Sequence, residues 1–103
     1  MTSAGNKGQN QTHFTYMLLC SDDSIYTGYT TDLTRRVQQH NAGQGARYTR
    51  GRRPVLLVHW EEYSSRSLAQ QREYELKQMS HQEKVNLIAR DQNRPADGAR
   101  VPE

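Results

Sequence analysis

The chain has 103 residues, of which 33% are hydrophobic and 24% charged, and its formal net charge is +3. This length allows one domain, and the low apolar fraction predicts a small core. No stretch reaches the roughly 20 apolar residues of a transmembrane helix, and the polar N-terminus lacks the apolar segment of a signal peptide. We therefore expect a single cytoplasmic domain with no membrane association.

The two ends of the chain differ in composition from its centre. Residues 1–12 and 91–103 contain almost no large apolar side chains, and the second segment holds two prolines and a glycine. Such segments cannot bury enough surface to offset the entropy cost of ordering, so we predict disordered tails around a domain over residues 13–90. The single cysteine, Cys20, cannot form an internal disulfide and is expected to be a buried strand residue.

The first two predicted elements are strands. Phe14–Cys20 (FTYMLLC) and residues 25–29 (IYTGY) are rich in aromatic and aliphatic residues, and the polar residues 21–24 between them favour a turn. A connection this short predicts an antiparallel hairpin, which brings Tyr16 and Tyr26 near each other.

Gly28 lies in the middle of the second predicted strand. Glycine weakens a strand and usually marks a point at which another group approaches the backbone closely. In the first strand, side-chain alternation places Tyr16 and Leu18 on one face and Met17 on the other. We therefore expect another group to lie against Gly28.

A helix is predicted over residues 33–41, because Thr30, Thr31 and Asp32 offer N-cap residues and Ala42 and Gly43 end the helical spacing. On a helical wheel, Arg36 and His40 fall within the apolar stripe of this helix, about 100° wide. Arg35 points away from the stripe. The sequence thus predicts that Arg36 lies against the core side and that Arg35 faces solvent.

The positive charge of the chain is concentrated in one region. Between Leu33 and Trp60 there is no acidic residue, but there are six arginines: Arg35, Arg36, Arg47, Arg50, Arg52 and Arg53. Residues 43–54 are predicted to form a glycine-rich basic loop. Such a cluster suits a polyanion, because each cation near a phosphate releases condensed counterions. A solvated surface loop is the alternative interpretation.

The second half of the chain predicts one strand and two helices. Residues 55–60 (VLLVHW) are nearly all apolar and predict a strand that is covered on both faces. A helix is predicted from about Leu68 to Met79, and a capping box of Ser80 and Glu83 opens a last helix. The order of elements predicts an α+β fold (β-β-α-β-α-α), in which helices flank a three-stranded antiparallel sheet.

The helix predicted after the third strand carries two glutamates beside its buried stripe. The stripe consists of Leu68, Ala69, Arg72, Leu76 and Met79. Glu73 and Glu75 lie at opposite edges of it, so helical spacing alone does not say which of them faces the predicted hairpin.

These motifs resemble the GIY-YIG nucleases, specifically their small single-domain members. The similarity extends from about Phe14 to Ile88 and is strongest in three segments: TYMLLC, SIYTGYTTDLTRRVQQHNAGQGARYTRGRRP and RSLAQQREYELK. The family pattern contains two triplets, which correspond here to Phe14-Thr15-Tyr16 and Tyr26-Thr27-Gly28. In the first triplet Phe14 and Thr15 replace the glycine and isoleucine of the family pattern, whereas Tyr16 is retained. The resemblance implies the GIY-YIG fold and a divalent-metal-dependent endonuclease.

The resemblance also implies the roles of individual residues. It assigns the catalytic site to Tyr16, Tyr26, Arg36, His40 and Glu73, with Gly28 as the glycine of the second triplet. It selects Glu73 over Glu75 as the ligand of one divalent ion, Mg²⁺ or Mn²⁺, which prefers hard oxygen donors. In the family a tyrosine at the position of Tyr26 is implicated as the general base, but an imidazole is better matched to neutral pH, so Tyr26 and His40 both remain candidates.

The expected partner is DNA, in single-stranded or branched form, with RNA still open and a targeting protein as a further candidate partner. The predicted nucleic-acid contacts are Arg35, Arg47, Tyr48, Arg50, Arg52 and Arg53, with Tyr48 a candidate for stacking on a base. No predicted helix is free to read a major groove, so low sequence specificity is expected, in DNA repair, recombination or processing of foreign DNA. A non-catalytic nucleic-acid-binding module and a protein-interaction domain are the alternatives.

Overall fold

The computed structural model describes residues 11–92, which form one antiparallel sheet with helices on both faces. The strands are β1 (His13–Leu19), β2 (Ile25–Thr30) and β3 (Leu56–Tyr63), and the helices are α1 (Leu33–Asn41), α2 (Arg47–Arg50), α3 (Arg66–Lys77) and α4 (His81–Gln92). The spatial order of the strands is β2-β1-β3. The predicted α+β fold with a three-stranded antiparallel sheet is confirmed.

The register of the sheet follows from the predicted hairpin. Tyr16 pairs with Gly28, and Leu18 pairs with Tyr26. On the other side of β1, the register with β3 shifts between Met17 and Leu18, which is a β-bulge. Because of the bulge, the side chains of two successive β3 residues, Val58 and His59, both lie on the same face of the sheet as Met17.

Two apolar clusters fill the two faces of the sheet. The cluster on the first face contains Tyr16, Leu18, Cys20 and Val55, packed against Leu33 and Val37 of α1. The cluster on the second face contains Met17, Leu76 and Leu87, packed against Val58, Met79 and Ile88. Alternate β1 side chains lie on different faces of the sheet, as the alternation predicted. Helix α1 covers one face, and the α3 and α4 helices cover the other.

The helix ends follow their sequence signals. Asp32 caps α1 by accepting a hydrogen bond of 3.1 Å from the backbone N–H of Arg35, and Gly43 follows the helix at φ +81°. At the start of α4, Ser80 and Glu83 form the predicted capping box, with bonds of 2.8 and 3.1 Å.

An ion network on the second face ties β3 to both long helices. His59 is buried, and its two ring nitrogens lie 2.8 Å from the Glu61 carboxylate and 3.0 Å from the Asp91 carboxylate. The Glu61 carboxylate also accepts a hydrogen bond of 2.8 Å from Arg72 of α3 and one of 2.6 Å from the Tyr63 hydroxyl. Burial opposes ionisation of Glu61, but the hydrogen bonds from His59, Arg72 and Tyr63 prevail and lower its pKa to about 2.

Two predictions about burial do not hold in full. Leu57 packs on the first face of the sheet and Val58 on the second, but Leu56 and Trp60 of this edge strand are 62% and 51% exposed. An apolar run does not show which of its side chains the helices cover. Leu68, predicted in the buried stripe of α3, is 48% exposed because it lies in the first turn, where the helix extends beyond the core.

The basic segment at residues 43–54 is not entirely a loop, because residues 47–50 form the one-turn helix α2. No side chain caps this helix, so it lacks the usual sequence signal. It buries Thr49 completely, and that contact with the rest of the fold accounts for its formation.

The predicted tails lie outside the described residues except at residues 11, 12, 91 and 92, so their disorder stays a prediction. Helix α4 continues through Asp91 to Gln92, two residues past the predicted end of the domain. Within the part of the chain that the structure describes, no helix has the length and apolar character needed to cross a membrane.

Candidate active site

Gly28 allows the side chain of Tyr16 to lie across β2. A Cβ placed on Gly28 would come within 2.6 Å of Tyr16 Oη and 3.0 Å of a ring carbon of Tyr26. No side chain fits there, so the predicted close approach is confirmed, and the approaching group is Tyr16 itself. The glycine thereby lets the Tyr16 hydroxyl extend from the central strand over β2.

The departure from the family pattern in the first triplet affects structural contacts only. Thr15 is buried on the opposite face, where its hydroxyl donates to the Ala69 carbonyl at 2.6 Å and links β1 to α3. Phe14 pairs with Thr30 and lines a hollow beside Trp60. Neither side chain contacts the Tyr16 hydroxyl, which is the chemically relevant group of the triplet.

The Tyr16 hydroxyl is the centre of a buried hydrogen-bond network. It lies 2.9 Å from His40 Nε2 and accepts a bond of 3.4 Å from Arg36 Nε. Burial raises the pKa of Tyr16 to about 12, although the Arg36 guanidinium opposes the shift. The hydroxyl therefore keeps its proton at neutral pH in the free protein.

His40 is completely buried beneath Tyr16. Burial, with a further contribution from the Arg36 charge, lowers the pKa of His40 to about 4, so the imidazole is neutral at pH 7. Its second ring nitrogen, Nδ1, lies 2.7 Å from the Thr49 hydroxyl. Gly45 packs against the ring so closely that a Cβ there would clash with Nδ1.

Sequence reasoning did not identify Thr49 or Gly45 as part of this site. The available signal was a glycine and a β-branched polar residue soon after a helix that ends in a candidate catalytic histidine. That signal is weak, because loops often contain both residue types.

The two adjacent arginines of α1 separate as the helical wheel predicted. Arg36 is half-buried, with Nε directed to Tyr16 and Nη1 donating to Gln39 Oε1 at 3.0 Å. Arg35 is exposed to solvent. The structure thus brings Arg36 to the Tyr16 hydroxyl and leaves Arg35 on the surface.

Tyr26 contributes an aromatic wall rather than the central hydroxyl. Its ring centroid lies 5.2 Å from that of His40, 6.4 Å from that of Tyr16 and 5.9 Å from that of Tyr48, with which it is stacked. The hydroxyl that contacts both His40 and the Arg36 guanidinium belongs to Tyr16. The two tyrosines are therefore close together but not equivalent.

Of the two glutamates on α3, Glu73 is the one at this site. Its carboxylate, together with burial and Tyr26, contributes to raising the pKa of Tyr16, so it lies within electrostatic range of that hydroxyl. Its side chain is 20% exposed and pairs with Lys77 at 3.0 Å. The side chain of Glu75 is 52% exposed and pairs with Arg72 instead, at 3.2 Å.

The donor set suits one hydrated divalent ion. Among residues 11–92 no three His, Cys, Asp or Glu side chains are grouped so that they could share a metal ion. A single carboxylate, Glu73, fits an ion such as Mg²⁺, which keeps most of its water ligands. A two-metal centre requires more carboxylates than the described residues bring together.

Two of the predicted nucleic-acid contacts are engaged within the protein. Arg52 pairs with Asp22 at 2.9 Å, donates to the Tyr48 carbonyl at 2.8 Å, and lies 4.0 Å above the Tyr48 ring. Arg53 donates to the Arg50 carbonyl at 2.9 Å. The basic segment contains no acidic residue of its own, but Asp22 in the turn between β1 and β2 lies close to it in space.

The remaining arginines of the predicted set are on the surface. Arg35, Arg47 and Arg50 are exposed, and within the described part of the chain no carboxylate pairs with them. Tyr48 is partly exposed, but its ring already contacts Tyr26 and the Arg52 guanidinium. A base could stack on Tyr48 only by displacing one of these groups.

Comparison with known proteins places this geometry in a family. Residues 12–86 match the model of the GIY-YIG catalytic domain. A UPF0213 protein of Natronomonas pharaonis is 54% identical over 77 residues, which cover 75% of this chain and 91% of that protein. A UPF0213 protein of Staphylococcus haemolyticus is 53% identical over 76 residues, covering 74% and 93%.

Two solved structures are similar in fold as well as in sequence. The solution NMR structure of a UPF0213 protein from Bacillus halodurans is 42% identical with a TM-score of 0.53, covering 86% of this chain and 94% of that one. A protein from E. faecalis, also solved by NMR, is 39% identical with a TM-score of 0.54, covering 79% and 88%. The chain therefore belongs to the GIY-YIG family, a nuclease superfamily that acts on nucleic acid and usually uses a divalent metal.

Proposed function

We propose that the protein is a divalent-metal-dependent endonuclease that hydrolyses phosphodiester bonds in DNA. The observation that supports this function best is the Tyr16 hydroxyl, held 2.9 Å from a neutral imidazole and 3.4 Å from a guanidinium, within electrostatic range of the Glu73 carboxylate. These groups can supply a proton acceptor, a cation for the phosphate and a metal ligand.

In the proposed mechanism Tyr16 and His40 act together as the base. As water attacks phosphorus, its proton passes to Tyr16 Oη while the Tyr16 proton passes to His40 Nε2, and the new P–O bond forms as the P–O3′ bond breaks. The low pKa of His40 keeps the imidazole neutral before the reaction, so one ring nitrogen is free to accept a proton, and the contact between Tyr16 Oη and Nε2 gives the path of transfer. Of the two general-base candidates this mechanism keeps His40 and replaces Tyr26 by Tyr16, because the Tyr16 hydroxyl is the one that contacts the imidazole.

Arg36 and Glu73 are proposed to stabilise charge. The planar guanidinium of Arg36 would donate to a non-bridging phosphate oxygen, as negative charge develops there in the transition state. Glu73 would hold the divalent ion, which supplies positive charge for the departing oxygen when bound. Tyr26 would orient the attacking water against the aromatic wall formed with Tyr48.

The proposed DNA contacts are the exposed cations Arg35, Arg47 and Arg50, which would bind backbone phosphates. Such contacts carry no sequence information, so cleavage is proposed to have low sequence specificity and to depend on the shape of the substrate, for example a single strand or a branch. A role in repair, recombination or processing of foreign DNA is consistent with that substrate class.

Cleavage assays with matched glutamate variants test the proposal. Supercoiled plasmid and labelled single-stranded and branched oligonucleotides are incubated with Mg²⁺, Mn²⁺ or EDTA, using the natural protein, Glu73→Gln and Glu75→Gln. We expect metal-dependent cutting that is lost in Glu73→Gln and kept in Glu75→Gln, because the charge of Glu73 acts on the Tyr16 hydroxyl whereas Glu75 pairs with Arg72. Equal loss in both variants, or cutting in EDTA, would contradict the assignment of the metal ligand.

The second candidate function is a nucleic-acid-binding module without cleavage. It is favoured by the ion pair between Glu73 and Lys77, 3.0 Å long, because this cation competes with a metal ion for the carboxylate. This function predicts salt-dependent binding to DNA but no cutting at any metal concentration, with binding reduced by Arg47→Gln and Arg50→Gln.

A further inference from the structure

Thr49 is a buried hydroxyl that the mechanism above does not use. It is one of the largest completely buried side chains of the protein, and it lies on the one-turn helix α2 directly beneath His40. Its Oγ1 is 2.7 Å from His40 Nδ1 and 3.0 Å from the Ala46 carbonyl oxygen. The hydroxyl therefore bridges the candidate catalytic histidine and the backbone.

The position of the Thr49 proton is coupled to the proton of the imidazole. A neutral imidazole has one N–H donor and one acceptor nitrogen. If Nδ1 carries the proton, it donates to Thr49 Oγ1, Thr49 donates to the Ala46 carbonyl, and Nε2 is left to accept from Tyr16. If Nε2 carries the proton, Thr49 donates to Nδ1, and the Tyr16 oxygen must accept from both His40 and Arg36.

The first pattern agrees better with the distances. It uses all three short contacts, of 2.9, 2.7 and 3.0 Å, in one continuous chain that ends at a carbonyl, which can only accept. The second pattern gives up the 3.0 Å bond from Thr49 to the Ala46 carbonyl and gains only a long contact of 3.4 Å from the backbone N–H of Ala46 to Nδ1.

We propose that Thr49 is a positioning residue that fixes His40 in the Nδ1–H tautomer, so that Nε2 faces Tyr16 as a proton acceptor. The proposal rests on the proposed nuclease function for its catalytic meaning, but the tautomer itself is independent of activity. When His40 becomes an imidazolium, both ring nitrogens carry a proton and each needs an acceptor. Thr49 provides the acceptor for Nδ1–H.

Gly45 and the turn at Ala46 hold the His40 ring and the Thr49 hydroxyl in position. Gly45 makes room for the ring, since any side chain there would occupy the place of Nδ1. The backbone N–H of Thr49 bonds to the same Ala46 carbonyl at 3.2 Å, which fixes the turn that carries the hydroxyl. The side chain is therefore held in place by the same short helix that presents Arg47 and Arg50 to solvent.

Imidazole nitrogen shifts test the tautomer directly. Protein labelled with ¹⁵N-histidine is studied by long-range proton–nitrogen correlation at pH 7, and the His40 signals are assigned by their absence in His40→Gln. We expect Nδ1 to be protonated and Nε2 to be unprotonated in the natural protein. A protonated Nε2 in the natural protein would overturn the proposal without any variant being needed.

Two variants and one matched control test the role of the hydroxyl. Thr49→Val removes the acceptor at nearly constant shape and should shift His40 towards the Nε2–H tautomer, whereas Thr49→Ser should keep the natural pattern. Thr27→Val is the control, because the Thr27 hydroxyl is also buried but has no hydrogen-bond partner within the described residues. An unchanged tautomer in Thr49→Val would contradict the proposal.

Cleavage then connects the tautomer to the reaction. Thr49→Val should lower kcat about tenfold with little change in KM, which corresponds to about 1.4 kcal/mol and is within the range of one neutral hydrogen bond, and Thr49→Ser should restore it. If the natural protein cuts no substrate, the nuclease function fails, yet the nitrogen shifts still decide the role of Thr49. If it cuts and Thr49→Val has normal kcat, the positioning role is wrong.

Discussion

Two buried histidines lie on opposite faces of the same sheet, in opposite chemical surroundings. His40 contacts two hydroxyls and lies near a guanidinium, and burial keeps it neutral. His59 has a carboxylate against each ring nitrogen, in a network that also holds Arg72. The first histidine has the neutral, hydroxyl-lined surroundings that the proposed proton transfer requires, whereas the second holds acidic groups of different elements together.

The comparison shows that burial alone does not identify a functional histidine. What distinguishes His40 is that its polar partners are two hydroxyls, those of Tyr16 and Thr49, and that the Tyr16 hydroxyl also accepts from Arg36. The partners of His59 are two carboxylates, Glu61 of β3 and Asp91 of α4, one at each ring nitrogen. Variants on the two faces should therefore affect different measurements.

The largest expected effect is that of Tyr16→Phe. Removing the hydroxyl takes away the proposed proton acceptor, so cleavage should fall about 100-fold or more, while the apolar ring still fills the core. The measurements are cleavage rate and thermal unfolding. Tyr63→Phe on the other face is the control, with cleavage unchanged and the free energy of unfolding lowered by about 1 kcal/mol through loss of the bond to Glu61. Loss of cleavage in Tyr63→Phe together with normal cleavage in Tyr16→Phe would contradict our assignment of the candidate active site to the first face.

Glu61→Gln should break the network of the second face. The change removes the charge that His59 and Arg72 share, so the free energy of unfolding should fall by about 2 to 4 kcal/mol, measured by chemical denaturation. Glu62→Gln, at the exposed neighbouring position, should change it by less than about 0.5 kcal/mol. Cleavage by Glu61→Gln below its unfolding temperature should stay near normal; a selective loss of cleavage would mean that the two faces are coupled.

The two faces should also lose stability in different pH ranges. The pKa of His40 is lowered from 6.5 to about 4. As the pH drops, His40 is therefore protonated in the unfolded chain before it is protonated in the folded protein, and the free energy of unfolding falls between pH 6.5 and 4. The pKa of Glu61 is lowered from 4.5 to about 2, so its contribution is lost between pH 4.5 and 2. Each loss is expected to reach up to about 3 kcal/mol.

Denaturation curves at a series of pH values measure both losses. His40→Gln should remove the pH dependence above pH 4.5, and Glu61→Gln should remove most of that below it. If His40→Gln leaves the upper range as in the natural protein, His40 is not buried in its neutral form.

Gly28→Ala should have the smallest but most local effect. Its Cβ would meet Tyr16 Oη at 2.6 Å, so the ring must shift, which should lower the free energy of unfolding by about 1 to 3 kcal/mol and also reduce cleavage. Gly51→Ala is the matched control, because nothing lies within 4 Å of a Cβ there. Normal cleavage by Gly28→Ala would show that the position of the Tyr16 ring is not critical.

Sequence patterns predicted the parts of this fold that depend on local rules. The α1 helix begins and ends as expected, because Asp32 and Gly43 set its limits, and its periodicity separated Arg36 from Arg35. The hairpin and the close approach at Gly28 also followed from local signals. The choice of Glu73 over Glu75 required the family resemblance, because both glutamates border the stripe.

The features that sequence reasoning missed depend on distant contacts. The turn that holds Thr49 is stabilised by its burial under His40, and Arg52 is neutralised by Asp22, which lies 30 residues earlier in the chain. The exposure of Trp60 depends on how far α1 reaches across the sheet. None of these can be read from periodicity or composition, because each requires knowing which elements meet in space.

The contact of Tyr16 with Gly28 has a consequence for how such sequences evolve. The aromatic ring on one strand occupies the volume that a side chain on its neighbour would need, so the two positions are under a shared constraint. A lineage that replaced the tyrosine by a small residue would no longer need the glycine, whereas one that lost the glycine first would pass through a strained intermediate. The last residue of the first triplet and the last residue of the second should therefore covary, although they lie twelve positions apart in the chain.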